Sequence, residues 1–216
     1  MKLAVFDCDG TLVDGQAAVC DAMEAAFAEA GLPRPDRGEV RRIVGLSLPQ
    51  AVRTLAPGAA PDRQAAAVSA YKAAFRETRE SGQLEEPLFE GLRELLADLR
   101  GAGWTLAVAT GKSDRGLAAC LAGHGIADMF TSLQTADRHP SKPDPAMLEM
   151  ALFEAGSQAS EAVMIGDTSF DMAMARAAGV RAIGVAWGYH TDDELLAAGA
   201  EAVAHTVAEL RMLIDG

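Results

Sequence analysis

Residues 3–14 read LAVFDCDGTLVD, and this stretch decides how the rest of the chain is interpreted. A short apolar run, Leu3–Phe6, leads directly into two aspartates, Asp7 and Asp9, that are separated by one residue. Such a run before a polar turn is typical of a strand that is buried on both faces of a parallel sheet. Two carboxylates at the end of one strand repel each other, so a turn, a metal ion or catalysis must account for them.

Four further short apolar runs predict buried strands, at residues 105–109, 129–133, 162–165 and 181–186. Helical patterns fill most of the intervals, as in the leucine spacing of residues 92–99. Strands that alternate with helices predict an α/β fold, a doubly wound, Rossmann-like parallel sheet. Ligands bind at the carboxyl ends of the strands in sheets of this kind.

One region interrupts this alternation. Residues 15–84 contain no convincing strand, only alanine-rich helical patterns punctuated by prolines. We therefore predict an inserted all-helical cap domain at 15–84. The Rossmann-like core would comprise residues 1–14 and 85–216.

The amino-acid composition argues against several classes of partner and location. The chain has 216 residues, 50% of them apolar, a net charge of −12 and a pI of about 4.7. This charge argues against nucleic acid or an anionic membrane as a partner. Three cysteines without CxxC spacing are typical of a reducing compartment. No apolar run reaches the length of a signal-peptide core or a membrane span. We expect a cytoplasmic protein, and the sequence leaves its oligomeric state open.

Chemistry-bearing residues follow the predicted strands. The first four strands are followed by these sets in turn: Asp7 and Asp9; Thr110 and Gly111; Lys142; Asp167 and Asp171. Four ionised aspartates and one lysine carry a formal charge of −3, which would raise some carboxylate pKa values unless a cation relieved it. Oxygen ligands favour Mg²⁺, and a cation beside a lysine and a threonine can receive an anionic group such as phosphate.

Four motifs in fixed order carry a resemblance to a known family. The sequence has DxDGTLxD, a threonine after the second strand, Lys-Pro and GDxxxD, and so resembles the haloacid dehalogenase superfamily, in particular its phosphoglycolate-phosphatase-like branch with a helical cap. The resemblance implies a Mg²⁺-dependent phosphatase that hydrolyses a small phosphorylated metabolite through an aspartyl-phosphate. The best candidate substrate is 2-phosphoglycolate.

The resemblance also implies roles for individual residues. Asp7 would be the nucleophile, and Asp9 would protonate the leaving alcohol and then activate water. Thr110 and the Gly111 N–H would hold phosphate oxygens, while Lys142 would pair with Asp7 and the phosphoryl group. The metal ligands would be the Asp7 carboxylate, the Asp9 carbonyl and Asp167, with Asp171 binding metal-bound water or orienting Lys142.

Several alternatives remain open at this point. Another metabolite phosphatase, acting on a sugar phosphate or pyrophosphate, fits the same motifs. A β-phosphoglucomutase-like isomerase is disfavoured, because Leu48 stands about where such mutases carry a basic residue. An inactive phospho-ligand-binding module is disfavoured by the intact motifs. Lys112 could contact the substrate or be solvated, and the aim of Arg42, Val44 and Ser47 in the cap is not determined.

Overall fold

Six parallel strands form a single sheet in the computed structural model, which describes all 216 residues. The strands are β1 (Leu3–Phe6), β2 (Thr105–Thr110), β3 (Ser132–Thr135), β4 (Ala162–Gly166), β5 (Arg181–Val185) and β6 (Ala202–Ala204). Their order across the sheet is β3-β2-β1-β4-β5-β6. The strand order reverses beside β1, so β1 ends at the position where sheets of this type bind ligands.

Four helices separate β1 from the remainder of the sheet. They are α1 (Gln16–Glu29), α2 (Arg37–Arg42), α3 (Leu48–Leu55) and α4 (Pro61–Glu80). Their apolar side chains form a cluster of their own around Val19, Met23 and Phe27. The helical character of this insert agrees with the sequence prediction, and its treatment as a separate cap domain at 15–84 remains a proposal.

Helices cover both faces of the sheet, as the prediction of a doubly wound fold requires. One face is covered by α5 (Leu92–Gly101), α6 (Asp114–Gly123) and α10 (Val207–Asp215), and the other by α7 (Ala146–Ala155), α8 (Ser169–Ala177) and α9 (Asp192–Ala198). Side chains of β1 alternate between the two apolar clusters, which is why the run has no polar residue. The α/β fold class is thereby confirmed.

The structure corrects the sequence prediction at two strands. The third strand is Ser132–Thr135 rather than 129–133, because Phe130 packs into the core from the turn that precedes the strand. The sixth strand, Ala202–Ala204, was not predicted, since three residues are too few to show a pattern. None of the helices combines the length and the apolarity that crossing a bilayer would require.

Candidate active site

The end of β1 places Asp7 and Asp9 at the carboxyl edge of the sheet. Asp7 is fully buried, and its backbone N–H continues the ladder by donating to the carbonyl of Ile165 at 2.9 Å. The chain then turns at Gly10, which has a φ of +84°. A Cβ at Gly10 would lie 2.2 Å from Oδ2 of Asp167, so this close approach requires glycine.

Lys142 connects two of the predicted aspartates. Its Nζ lies 2.9 Å from Oδ1 of Asp7 and 2.6 Å from Oδ1 of Asp171, and all three side chains are buried. Burial alone would lower the pKa of Lys142, but Asp171 and Asp7 raise it above its usual range. The ammonium group therefore stays charged and offsets part of the carboxylate charge.

Asp167 accepts two hydrogen bonds that were not predicted from the sequence. Its Oδ1 accepts a hydrogen bond from the Thr11 hydroxyl at 2.8 Å, and its Oδ2 accepts one from the Tyr189 backbone N–H at 2.9 Å. Burial, Asp7 and Asp171 all raise the pKa of Asp167 well above its usual range. A neighbouring cation would favour the ionised form.

Both carboxylate oxygens of Asp171 are used within the protein. Oδ1 accepts from Lys142, while Oδ2 accepts from the backbone N–H and the hydroxyl of Thr168, at 3.1 and 2.7 Å. These bonds also cap helix α8. Of the two roles left open for Asp171, this geometry supports the orientation of Lys142.

Asp7, Asp167 and Asp171 each have a carboxylate oxygen within 4.8 Å of those of the other two. Oδ2 of Asp7 is buried and has no partner in the protein. Burial, opposed by Lys142 and reinforced by Asp171, raises the pKa of Asp7 to about 7. An all-oxygen set with an orphaned, buried carboxylate atom fits a hard divalent cation.

Thr110 and Gly111 lie where β2 ends beside β1. Thr110 is buried, and its hydroxyl accepts from the Lys112 backbone N–H at 3.2 Å. A Cβ at Gly111 would lie 2.5 Å from the carbonyl oxygen of Leu46 and 2.7 Å from that of Gly45. The backbone between α2 and α3 therefore rests directly on this part of the predicted phosphate site.

Asp9 pairs with Lys112, whose role was left open by the sequence. Nζ of Lys112 lies 3.0 Å from Oδ1 of Asp9 and 2.6 Å from Oε1 of Glu86. The Lys112 side chain is only 9% exposed, so the interpretation of Lys112 as a solvated side chain is wrong. Glu86 was not predicted, because it follows α4 in a segment without any motif.

A cavity of about 480 Å³ lies between the inserted helices and the core. Asp9 and Lys112 line it, together with apolar side chains such as Val44, Leu48 and Phe75. Basic side chains of α4 also line it: Lys72, Arg76 and Arg79. The cavity therefore combines apolar side chains with the charged groups of Asp9, Lys112 and α4.

The cap residues named from the sequence have different surroundings. Val44 lines the cavity, whereas Arg42 forms an ion pair with Glu194 of the core. The backbone N–H of Ser47 donates to the Ser141 hydroxyl at 2.8 Å. Arg42 and Ser47 thus fasten the inserted helices to the core.

His190 makes a further connection between the inserted helices and the core. It is buried, its Nδ1 accepts from the Ser169 N–H at 3.1 Å, and its Nε2 bonds to the carbonyl oxygen of Arg42 at 3.0 Å. A hydrogen on Nε2 satisfies both bonds. These two bonds give His190 a structural role.

Comparisons with known proteins show the family to which this chain belongs. The family model for haloacid dehalogenase-like hydrolases matches residues 4–185. The "Probable phosphatase IndB" of Dickeya dadantii is 40% identical over 96% of this chain and 91% of its own length. A "Phosphoglycolate phosphatase" of Vibrio vulnificus is 30% identical over 97% and 94%.

A similar solved structure agrees with the fold. The crystal structure of a predicted phosphatase from Clostridium acetobutylicum superposes with a TM-score of 0.88 over 99% of this chain and 97% of that one. The two sequences are 24% identical, so this likeness supports the fold alone.

Proposed function

The chain belongs to the haloacid dehalogenase-like hydrolases and is a phosphatase, and from that premise we propose that it hydrolyses a small phosphate monoester with the help of Mg²⁺. The observation that carries this proposal is the ion pair between Lys142 and Asp7, which holds a buried carboxylate whose Oδ2 has no partner in the protein. A binding module would have no need for a buried carboxylate without a partner beside a second acid.

In the proposed reaction Asp7 attacks phosphorus, and the bond between phosphorus and the ester oxygen breaks. Asp9 gives its proton to the departing alkoxide, which leaves as an alcohol. Water then attacks the phosphorus of the aspartyl-phosphate, Asp9 takes its proton, and the bond to Asp7 breaks to release phosphate. The first step leaves Asp9 deprotonated, as the attack by water requires. The second step reprotonates Asp9 and frees Asp7 for the next ester.

The remaining predicted residues would position and neutralise the phosphoryl group. Thr110 and the Gly111 N–H would hold its oxygens, and Lys142 would offset their charge. Asp7, Asp167 and the Asp9 carbonyl would hold Mg²⁺, with Asp171 orienting Lys142. When bound, Mg²⁺ would supply further positive charge beside the phosphoryl oxygens.

The finer choice of substrate is 2-phosphoglycolate, the compound for which the Vibrio relative is named. Its carboxylate is a second negative group, and the basic side chains of α4 that line the cavity would receive it. A sugar phosphate or pyrophosphate would also present polar or anionic groups there. Leu48 in the cavity wall offers no charge for gripping a second phosphate near the reacting centre, which supports hydrolysis over isomerisation.

We further propose that the protein acts in the cytoplasm. All three cysteines are buried and free, and Sγ of Cys8 lies 4.0 Å from Sγ of Cys120 without a disulfide. Cys8 faces the apolar cluster rather than the aspartates that flank it.

Release of inorganic phosphate from a panel of monoesters tests the function. The panel includes 2-phosphoglycolate, glucose 1-phosphate and p-nitrophenyl phosphate, each with Mg²⁺ and with EDTA. We expect Mg²⁺-dependent release that Asp7→Asn abolishes. Lack of release from every ester by a folded, Mg²⁺-binding protein would reject the proposal.

A further inference from the structure

Lys112 lies at the centre of a buried charge triad. Its Nζ lies 3.0 Å from Oδ1 of Asp9 and 2.6 Å from Oε1 of Glu86. The exposed fractions of the Lys112, Asp9 and Glu86 side chains are 9%, 12% and 6%. Charges excluded from water to this degree interact far more strongly than a surface pair does.

Three separate elements converge on the ammonium group. The end of β2 carries Lys112 itself, and the segment after α4 carries Glu86, whose backbone carbonyl bonds to Nε2 of His124 at 2.7 Å. From the insert, the ring of Phe75 lies with its centroid 5.6 Å from Nζ, and this ring stacks on Tyr71. The position of Lys112 is thus determined from the core and from the inserted helices together.

The electrostatic balance of the triad depends on Lys112. Burial alone would lower the pKa of Lys112, but the carboxylates of Asp9 and Glu86 help to hold it well above the usual range. Without the ammonium group, Asp9 and Glu86 would present two negative charges to the same buried point. Repulsion between the two carboxylates would then turn the Asp9 side chain away from its position.

We propose that Lys112 is a positioning residue for Asp9, and that Glu86 aims Lys112. The ion pair fixes Oδ1 of Asp9 and leaves its Oδ2 to face the ester oxygen. This inference rests on the proposed function, in which Asp9 protonates the leaving group. Lys112 acts through Asp9 and need not touch the substrate.

The leaving group of the ester distinguishes this role from a structural one. An alkoxide is a strong base and needs the proton of Asp9, whereas p-nitrophenolate is a weak base and leaves without one. The ratio kcat/KM reports the steps up to transfer of the phosphoryl group to Asp7, so it isolates protonation from the later attack by water. A displaced Asp9 should therefore slow alkyl esters selectively.

The test compares kcat/KM for p-nitrophenyl phosphate with that for the alkyl ester that the wild-type protein hydrolyses fastest. Lys112→Met keeps the length of the side chain and removes its charge. We expect about a 10²-fold loss on the alkyl ester and a loss of less than about threefold on p-nitrophenyl phosphate. Lys112→Arg should restore part of the alkyl activity, and Glu86→Gln should give a smaller loss of the same selective kind.

Two control variants set the lower and upper limits of the expected effect on the alkyl ester. Lys2→Met removes a lysine that lies 5.2 Å from the centroid of the Trp104 ring at the opposite edge of the sheet, and both esters should be hydrolysed at the wild-type rate. Asp9→Asn should show the same selective loss as Lys112→Met, to a greater degree.

The outcomes distinguish failure of this inference from failure of the proposed function. Suppose that Asp9→Asn slows the alkyl ester selectively. Equal losses on both esters with Lys112→Met, or no loss on either, would then overturn the role of Lys112 and leave the proposed function intact. If Lys112→Met does not fold, a uniform effect of Glu86→Gln on both esters would overturn the role instead. If Asp9→Asn slowed both esters equally, the acid role of Asp9 would be overturned, and the inference with it.

Discussion

Lys142 holds its ammonium group 2.9 Å from the Asp7 carboxylate, and both side chains are buried. This pair joins the end of β1 to a loop more than a hundred residues later in the chain. The same lysine bonds to Asp171, so one cation balances two carboxylates beside the orphaned oxygen of Asp7. The predictions below follow from this arrangement and from its surroundings.

Removal of the Lys142 charge should damage both stability and activity. Lys142→Met leaves Asp7, Asp167 and Asp171 buried without the lysine that balances them, and a broken buried pair typically costs about 3–5 kcal/mol. We expect that loss in urea unfolding of the metal-free protein, with kcat lower by at least about 10²-fold. Lys2→Met is the control, and equal stability of the two variants would contradict the account.

The metal-free protein should lose stability as the pH rises. The folded-state pKa of Asp7 is raised from 3.8 to about 7, so the folded state binds a proton that the unfolded state has lost between these values. The free energy of unfolding should therefore decrease with rising pH across this window. Saturating Mg²⁺ should reduce the decrease, because it favours ionised carboxylates. Unfolding curves of the wild type and Asp7→Asn measure the difference, and identical slopes would contradict the assignment.

A methyl group on Gly111 should displace the segment between α2 and α3 from the site. The new Cβ would meet the carbonyl oxygens of Gly45 and Leu46 inside van der Waals distance. We expect Gly111→Ala to lower kcat/KM by roughly 10-fold or more, since small displacements at reacting centres are costly. Gly101→Ala is the matched control, because nothing lies within 4 Å of its new Cβ. Equal activity of the two variants would refute the close contact.

Charge on α4 should favour substrates with a second negative group. Arg76 lines the cavity and is exposed, so its attraction is worth only about 0.2–1 kcal/mol. Arg76→Ala should raise KM for 2-phosphoglycolate by a factor of about 1.4 to 5 and leave KM for p-nitrophenyl phosphate unchanged. Arg100→Ala, an exposed arginine on α5, serves as the control. The same KM shift for both esters would indicate a general effect.

Much of the site was predictable because strand ends in a parallel sheet meet at one edge. The motifs with Asp7, Lys142 and Asp167 follow three different strands, and the sheet brings them together as expected. The contacts of Glu86 and Tyr189 were not predictable, since both residues lie in connecting segments without a motif. Thr11 belongs to the first motif, but its bond to Asp167 depends on the turn after β1.

The fold shows the same division between patterned and unpatterned segments. Buried strands such as β1 and β4 are continuous apolar runs, and the structure matches their predicted starts. The third strand was misplaced by the apolar turn before it, and β6 was too short to detect. The partner of Lys112 depends on three-dimensional convergence, so the sequence left two alternatives open.

The central claim is that Asp7 becomes phosphorylated during turnover, and chemical trapping tests it most directly. Wild-type protein is mixed with Mg²⁺ and the preferred ester, quenched, and treated with borohydride, which reduces an aspartyl-phosphate to homoserine. Peptide mass spectrometry then identifies the modified residue, with Asp7→Asn as the control. The account predicts homoserine at position 7 in the wild type alone. Steady phosphate release with an unmodified Asp7, or with homoserine at another aspartate, would contradict it.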